Sequence, residues 1–173
     1  MSGYGDIAMT LAADVVALAI RAKVKITSAE SCTGGMISAA LTDIAGSSAM
    51  FEQGFVTYSN AVKTKMLGVS EATLQVHGAV SEPVACEMAS GALMVSGADI
   101  AVSVSGIAGP AAPESKPAGR VCCGVPAAQG VDCDTLRFGT IGRAEVRPAS
   151  TRSLLQLLPH RLHSCYCSPV SLS

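Results

Sequence analysis

Between Ile26 and Gly35 the chain reads Ile-Thr-Ser-Ala-Glu-Ser-Cys-Thr-Gly-Gly, which sets a carboxylate (Glu30), a hydroxyl (Ser31), a thiol (Cys32) and a second hydroxyl (Thr33) ahead of two glycines. Gly34 and Gly35 let a ligand approach backbone with no Cβ in the way, and the first amides of a following helix lack intrahelical acceptors. Such a corner suits an anion. Plain helix capping accounts for the same residues, because Ser and Thr are favoured there, and the segment fits neither the GxGxxG nor the GxxxxGK[ST] phosphate pattern. Cys32 reads either as a nucleophile or as a small buried hydrophobe. Two further features could do chemistry. Lys63 falls in the first turn of a short helix, where the dipole disfavours a cation, and Ser105-Gly106 ends a strand as a second hydroxyl-and-glycine corner.

The elements around these residues are legible. Ile7, Leu11, Val15 and Leu18 recur at helical spacing and predict an amphipathic helix from Asp6 to about Ala22. A short strand through Val24, Ile26 and Ser28 runs into the glycine corner, and a helix follows to Asp43. The β-rich run Phe51 to Tyr58 predicts a second strand, ending at a Ser59-Asn60 cap and a helix from Ala61 to Leu67 closed by Gly68. Ser70-Glu71 starts another short helix, and Ser81-Glu-Pro83 starts a longer one through Met94. Asp99 to Val104 is a third strand, Arg120 to Val125 and Cys133 to Phe138 make a hairpin, and Arg143 to Leu158 is helical. Pro148 would cost that helix about 3 kcal/mol unless it starts later. Residues 1–159 read as one domain and 160–173 as a frayed tail. If the two glycine corners face each other at neighbouring strand ends, they stand where ligands of open α/β sheets bind.

Composition removes several function classes. Hydrophobic residues make up 49% of the 173 and charged ones 14%, but no apolar run reaches the roughly 20 residues that a membrane span needs. The start lacks the basic region of a signal peptide, so a cytoplasmic protein is expected. A net charge of −1, 3% aromatics and no Trp leave little with which to bind nucleic acid. Seven cysteines without CxxC spacing, and His77, His160 and His163 away from zinc-finger intervals, predict reduced thiols, no metal and no cofactor.

Several segments together resemble the CinA C-terminal family of nicotinamide-nucleotide amidases. They are Ser28-Ala-Glu-Ser-Cys-Thr-Gly-Gly35, Thr42-Asp-Ile-Ala-Gly-Ser-Ser48, Gly54-Phe-Val-Thr-Tyr-Ser-Asn60 with Lys63, Leu67-Gly-Val69, His77-Gly-Ala-Val-Ser-Glu-Pro83 and Ser105-Gly-Ile-Ala-Gly-Pro110. The resemblance implies a single three-layer α/β/α domain with a mixed sheet, acting without the larger domain to which family members are sometimes fused. It implies hydrolysis of the amide of nicotinamide mononucleotide, with site positions here at Ser31, Ser48, Tyr58, Lys63 and Ser105 and an arginine at the start of the last helix, Arg143 or Arg147. The implied partner is a small nucleotide substrate, and the apolar-rich composition of a single domain predicts self-association with further copies of the chain.

A primary amide resists water, so its hydrolysis needs an activated nucleophile, a proton donor for departing ammonia and donors for the oxyanion. Ser48 is assigned as nucleophile, Lys63 as its base with a pKa lowered by burial or neighbours, and Tyr58 as a relay between them. Direct activation of water by Lys63 and Ser48 is the other route. Ser31, Thr33, Gly34, Gly35, Ser105 and Gly106 would hold the carboxamide or oxyanion, and a helix N-terminus with Arg143 the phosphate. Glu30 is expected to orient Ser31 or a loop amide, and His77 to be structural. After Pro110 the chain departs from the family: glycines are lost, and Arg120 replaces a small hydroxyl. That departure leaves room for a second reading, a nucleotide-binding or regulatory module of the same fold without turnover.

Overall fold

The computed structural model describes residues 3–112, 115–127 and 130–166. The described residues form six α-helices and five strands in the order α1 (Gly3–Ala22), β1 (Ile26–Glu30), α2 (Met36–Thr42), β2 (Phe51–Val56), α3 (Asn60–Leu67), α4 (Glu71–His77), α5 (Glu82–Ser96), β3 (Ile100–Gly106), β4 (Arg120–Ala127), β5 (Gly130–Arg137) and α6 (Arg143–Tyr166). The strand order is β2-β1-β3-β4-β5. β1 runs parallel to β2 and β3, whereas β4 and β5 return antiparallel, so the sheet is mixed. The three-layer architecture expected of the sequence is therefore present.

One face of the sheet packs against α1, α2 and α6 through a core that includes Val15, Ile26, Ile37, Leu41, Val102 and Leu155. The other face packs α3, α4 and α5 over Ala29, Phe55, Val84, Met88 and Ala101. β1 and β3 lie in the middle and are buried on both faces, which explains their short runs of apolar and small residues. α5 passes so close to α3 that a Cβ on Gly91 would run into the carbonyl oxygen of Leu67. The absence of a side chain there lets the helix carrying Lys63 seat itself on the sheet.

Two expectations about the C-terminal third are corrected. Pro148 and Pro159 both lie inside α6, which starts at Arg143 and continues to Tyr166, so residues 160–166 are helix and only 167–173 fall outside the described residues. Leu154, Leu155, Leu158 and Leu162 are fully buried; at about 1.5–3 kcal/mol each, their packing outweighs the two prolines. Tyr166 Oη donates to the carbonyl of Asp99 at 3.3 Å, and Arg161 pairs with Asp132 at 2.9 Å. The second correction concerns the thiols: α5 crosses β5 with Cys86 and Cys133 at a Cα separation of 6.2 Å, and the two form a disulfide. Cys32, Cys122, Cys123 and Cys165 are free.

Candidate active site

Successive strands carry their ligand-facing ends to one edge of the sheet. Glu30 pairs with Val56 on one side and Val104 on the other, so one step further Ser31 stands between Thr57 and Ser105. The backbone follows suit: the Ser31 amide donates to Val104 at 3.0 Å and the Thr57 amide to Glu30 at 2.9 Å. Alternation along the strands turns all three hydroxyl side chains to the face covered by α3 and α5.

Glu30 itself points to the other face and organises the corner. Its Oε2 accepts from Thr33 Oγ1 at 2.7 Å and from the amides of Gly35 and Ile37 at 3.0 and 3.1 Å. Its Oε1 accepts from the Ser38 amide and hydroxyl at 2.9 and 2.8 Å. The orphan amides opening α2, which the sequence offered to an anion, are thus satisfied by the chain's own carboxylate. Arg147 pins the loop from above, with Nε donating to the Cys32 carbonyl at 3.0 Å and a terminal nitrogen to Thr33 at 3.1 Å. Gly34 has a φ of +62°, and a Cβ there would come within 3.3 Å of that guanidinium.

Lys63 is 1% exposed. Its Nζ lies 2.8 Å from the Thr57 carbonyl, 3.1 Å from the Tyr58 carbonyl and 3.1 Å from Ser31 Oγ. Two of these partners can only accept, whereas the third can also donate. A neutral amine has two N–H bonds and one lone pair; with the carbonyls taking the protons, the lone pair meets the Ser31 hydroxyl. Burial lowers the Lys63 pKa from its usual 10.5, opposed in part by Cys32. Burial likewise drives the Cys32 thiol up to about 11, with Glu30 adding to the rise, so Cys32 is a neutral packed side chain beside the serine.

Within the chain, Ser48 is not brought to Lys63. Ser48 is exposed in a 3-10 turn, Ser47–Ala49, immediately before β2. β2 starts level with Ile26 and ends level with Glu30, which leaves Ser48 at the opposite edge of the sheet from the lysine, about the length of a strand away. Tyr58 is 58% exposed; its carbonyl meets Lys63, while its hydroxyl accepts from Arg143 at 3.2 Å. Of the two candidate arginines, Arg143 reaches the exposed Tyr58 hydroxyl and Arg147 holds the loop. Ser105 is buried and donates to the Ala79 carbonyl at 2.7 Å, and Gly106 packs where a Cβ would come within 3.0 Å of the Cys32 sulfur. Thr57, which contributes the shortest contact to Lys63, escaped sequence reasoning. Its role is played by the main chain, and its position beside Tyr58 was the one available signal.

Residues 8–162 match the family model described as CinA C-terminal domain. The chain is 53% identical over 134 residues to the nicotinamide-nucleotide amidohydrolase PncC of Escherichia coli, covering 77% of this chain and 81% of that protein. It is 46% identical over 156 residues to a putative competence-damage inducible protein of Caldicellulosiruptor saccharolyticus, covering 90% of this chain and 38% of that one. Among solved structures, the competence/damage inducible protein CihA from Agrobacterium tumefaciens superposes with a TM-score of 0.88 at 44% identity, covering 92% of this chain and 98% of that chain.

Proposed function

The chain belongs to the CinA C-terminal domain family, and on that footing we propose that it is an amidohydrolase cleaving the carboxamide of nicotinamide mononucleotide to nicotinate mononucleotide and ammonia. Relatives named for nicotinamide-nucleotide amidohydrolysis at 53% and 64% identity support the substrate. The observation that carries the reading is the buried Lys63 amine, 3.1 Å from Ser31 Oγ with its remaining hydrogen bonds spent on two carbonyls.

In this mechanism the Lys63 amine takes the Ser31 proton as Oγ attacks the carboxamide carbon, giving a tetrahedral oxyanion and an ammonium on the lysine. The Thr33 amide, which has no hydrogen-bond acceptor among the described residues, supplies a donor to the oxyanion. Lys63 then returns its proton to the departing nitrogen, the C–N bond breaks, and ammonia leaves an ester on Ser31. Water loses a proton to the same amine, attacks the ester, and releases the carboxylate product with Ser31 restored. Tyr58 and Arg143 line the mouth as a linked pair, suited to packing on and orienting the nicotinamide ring.

The test is ammonia release from nicotinamide mononucleotide by the purified protein, beside Ser31→Ala. Saturable binding without ammonia from the wild type would sink the hydrolase and leave the binding module.

Self-association in the cytoplasm completes the proposal. No helix among the described residues is long and apolar enough to cross a membrane, and Met94 and Val76, 84% and 75% exposed, are apolar surface that a second copy would cover.

A further inference from the structure

Arg120 opens β4 and pairs directly across from Arg137 on β5. Like charges opposite each other in an antiparallel ladder are destabilising, and neither guanidinium forms an ion pair among the described residues. Arg120 Nε is buried with no hydrogen-bond partner among the described residues. An arginine stays charged at any accessible pH, so this is a local rule broken with no compensating ion pair among the described residues. Such breaks belong to functional sites.

The register locates the pair. Ser105 pairs with Cys122, and Cys122 with Thr135. Arg120 and Arg137 lie two residues further toward the edge where Ser31 stands, on the same face as Ser31 and Ser105 by alternation. Two strand spacings across and two residues along put the Arg120 backbone about 12 Å from that of Ser31. The side chain then closes part of the gap, leaving a span of nucleotide length. Lys116 adds a third cation: its Nζ donates to the carbonyls of His77 and Val80, in the turn leading into α5. One carboxylate approaches, Glu82, and it accepts from the Thr135 hydroxyl.

The geometry points to a phosphate subsite: Arg120, assisted by Arg137, takes the phosphomonoester of a nucleotide whose carboxamide lies at Ser31. The inference rests on the nucleotide reading above and names the end of the ligand that Lys63 and Ser31 do not touch. An arginine pairs with phosphate bidentately through its terminal nitrogens, and the anion's charge offsets the repulsion between the two cations.

The experiment compares wild type, Arg120→Ala and Arg120→Lys on nicotinamide mononucleotide and on nicotinamide riboside, which lacks the phosphate. Loss of a charged hydrogen-bonded pair predicts a fall of about 10- to 100-fold in kcat/KM for the mononucleotide, mainly through KM, with no change for the riboside. Arg120→Lys should keep part of the discrimination. A parallel fall on both substrates, or none on either, overturns the subsite. A second arm uses thermal unfolding with nicotinate mononucleotide and with inorganic phosphate, and so does not depend on turnover. Protection of the wild type that disappears in Arg120→Ala supports the subsite even if no ammonia is ever released, and equal protection of both, or of neither, overturns it.

Discussion

Lys63 Nζ and Ser31 Oγ lie 3.1 Å apart at one edge of the sheet, and Ser48 lies at the other. Ser31→Ala should therefore lower kcat for ammonia release by at least about a thousandfold, the scale seen when a nucleophile is removed from a unit that acts together. Ser48→Ala should stay within about twofold, as an exposed turn residue. Steady-state ammonia assays on both variants decide between them; the reverse order of effects would restore Ser48.

The lowered Lys63 pKa has two consequences of known sign. As base, the lysine must be neutral, so kcat/KM rises with pH through the native pKa and then levels. For stability, the unfolded chain holds the lysine proton up to about 10.5 while the native state has already released it. The unfolded state thus binds more protons between the two values, and native stability rises with pH across that window. Lys63→Met should abolish activity and flatten this rise in thermal unfolding measured against pH. An unaltered slope would mean that the buried amine is not the titrating group.

Glu30→Ala removes the carboxylate from buried donors on Thr33, Gly35, Ile37 and Ser38. Leaving such groups unsatisfied should cost about 2–5 kcal/mol, read as a lower urea midpoint, with faster amide exchange over residues 33–38. Glu30→Gln should recover part of the loss, because an amide oxygen still accepts.

Gly91→Ala would push a methyl into the Leu67 carbonyl. Overpacking of this kind costs about 1–3 kcal/mol, and the relief available is a shift of α3 away from α5. Activity should fall along with stability, since α3 carries Lys63, whereas Gly97→Ala, open on all sides but at a φ of +68°, should cost stability alone. Unfolding curves set against kcat for the two variants test that distinction.

Much of the architecture was open to inspection because local signals agreed with the tertiary result. Ser59, Ser70 and Ser81 each cap the helix their position announced, and the short runs around Ile26 and Val102 marked strands. What local signals could not convey was distance across the sheet. Ser48 precedes the strand that starts at Phe51 and Ser31 follows the one that ends at Glu30, but that these two strands pair in parallel, and so hold the serines at opposite edges, is a tertiary fact that residue types do not carry. Lys63 was noticed through its unfavourable place in a helix, but its two carbonyl partners are main-chain atoms that carry no residue signature. α6 misled in the opposite way: its prolines are strong local breakers, and the leucines that overrule them act only once packed.

The carboxylate of Glu30 fixes more than the shape of a turn. By filling the helix mouth from within, the chain denies that berth to any visiting anion, and under the proposed function this sends the negative end of the nucleotide outward, toward the far strands. Orientation of the guest is settled before it arrives, by a negative charge already in residence.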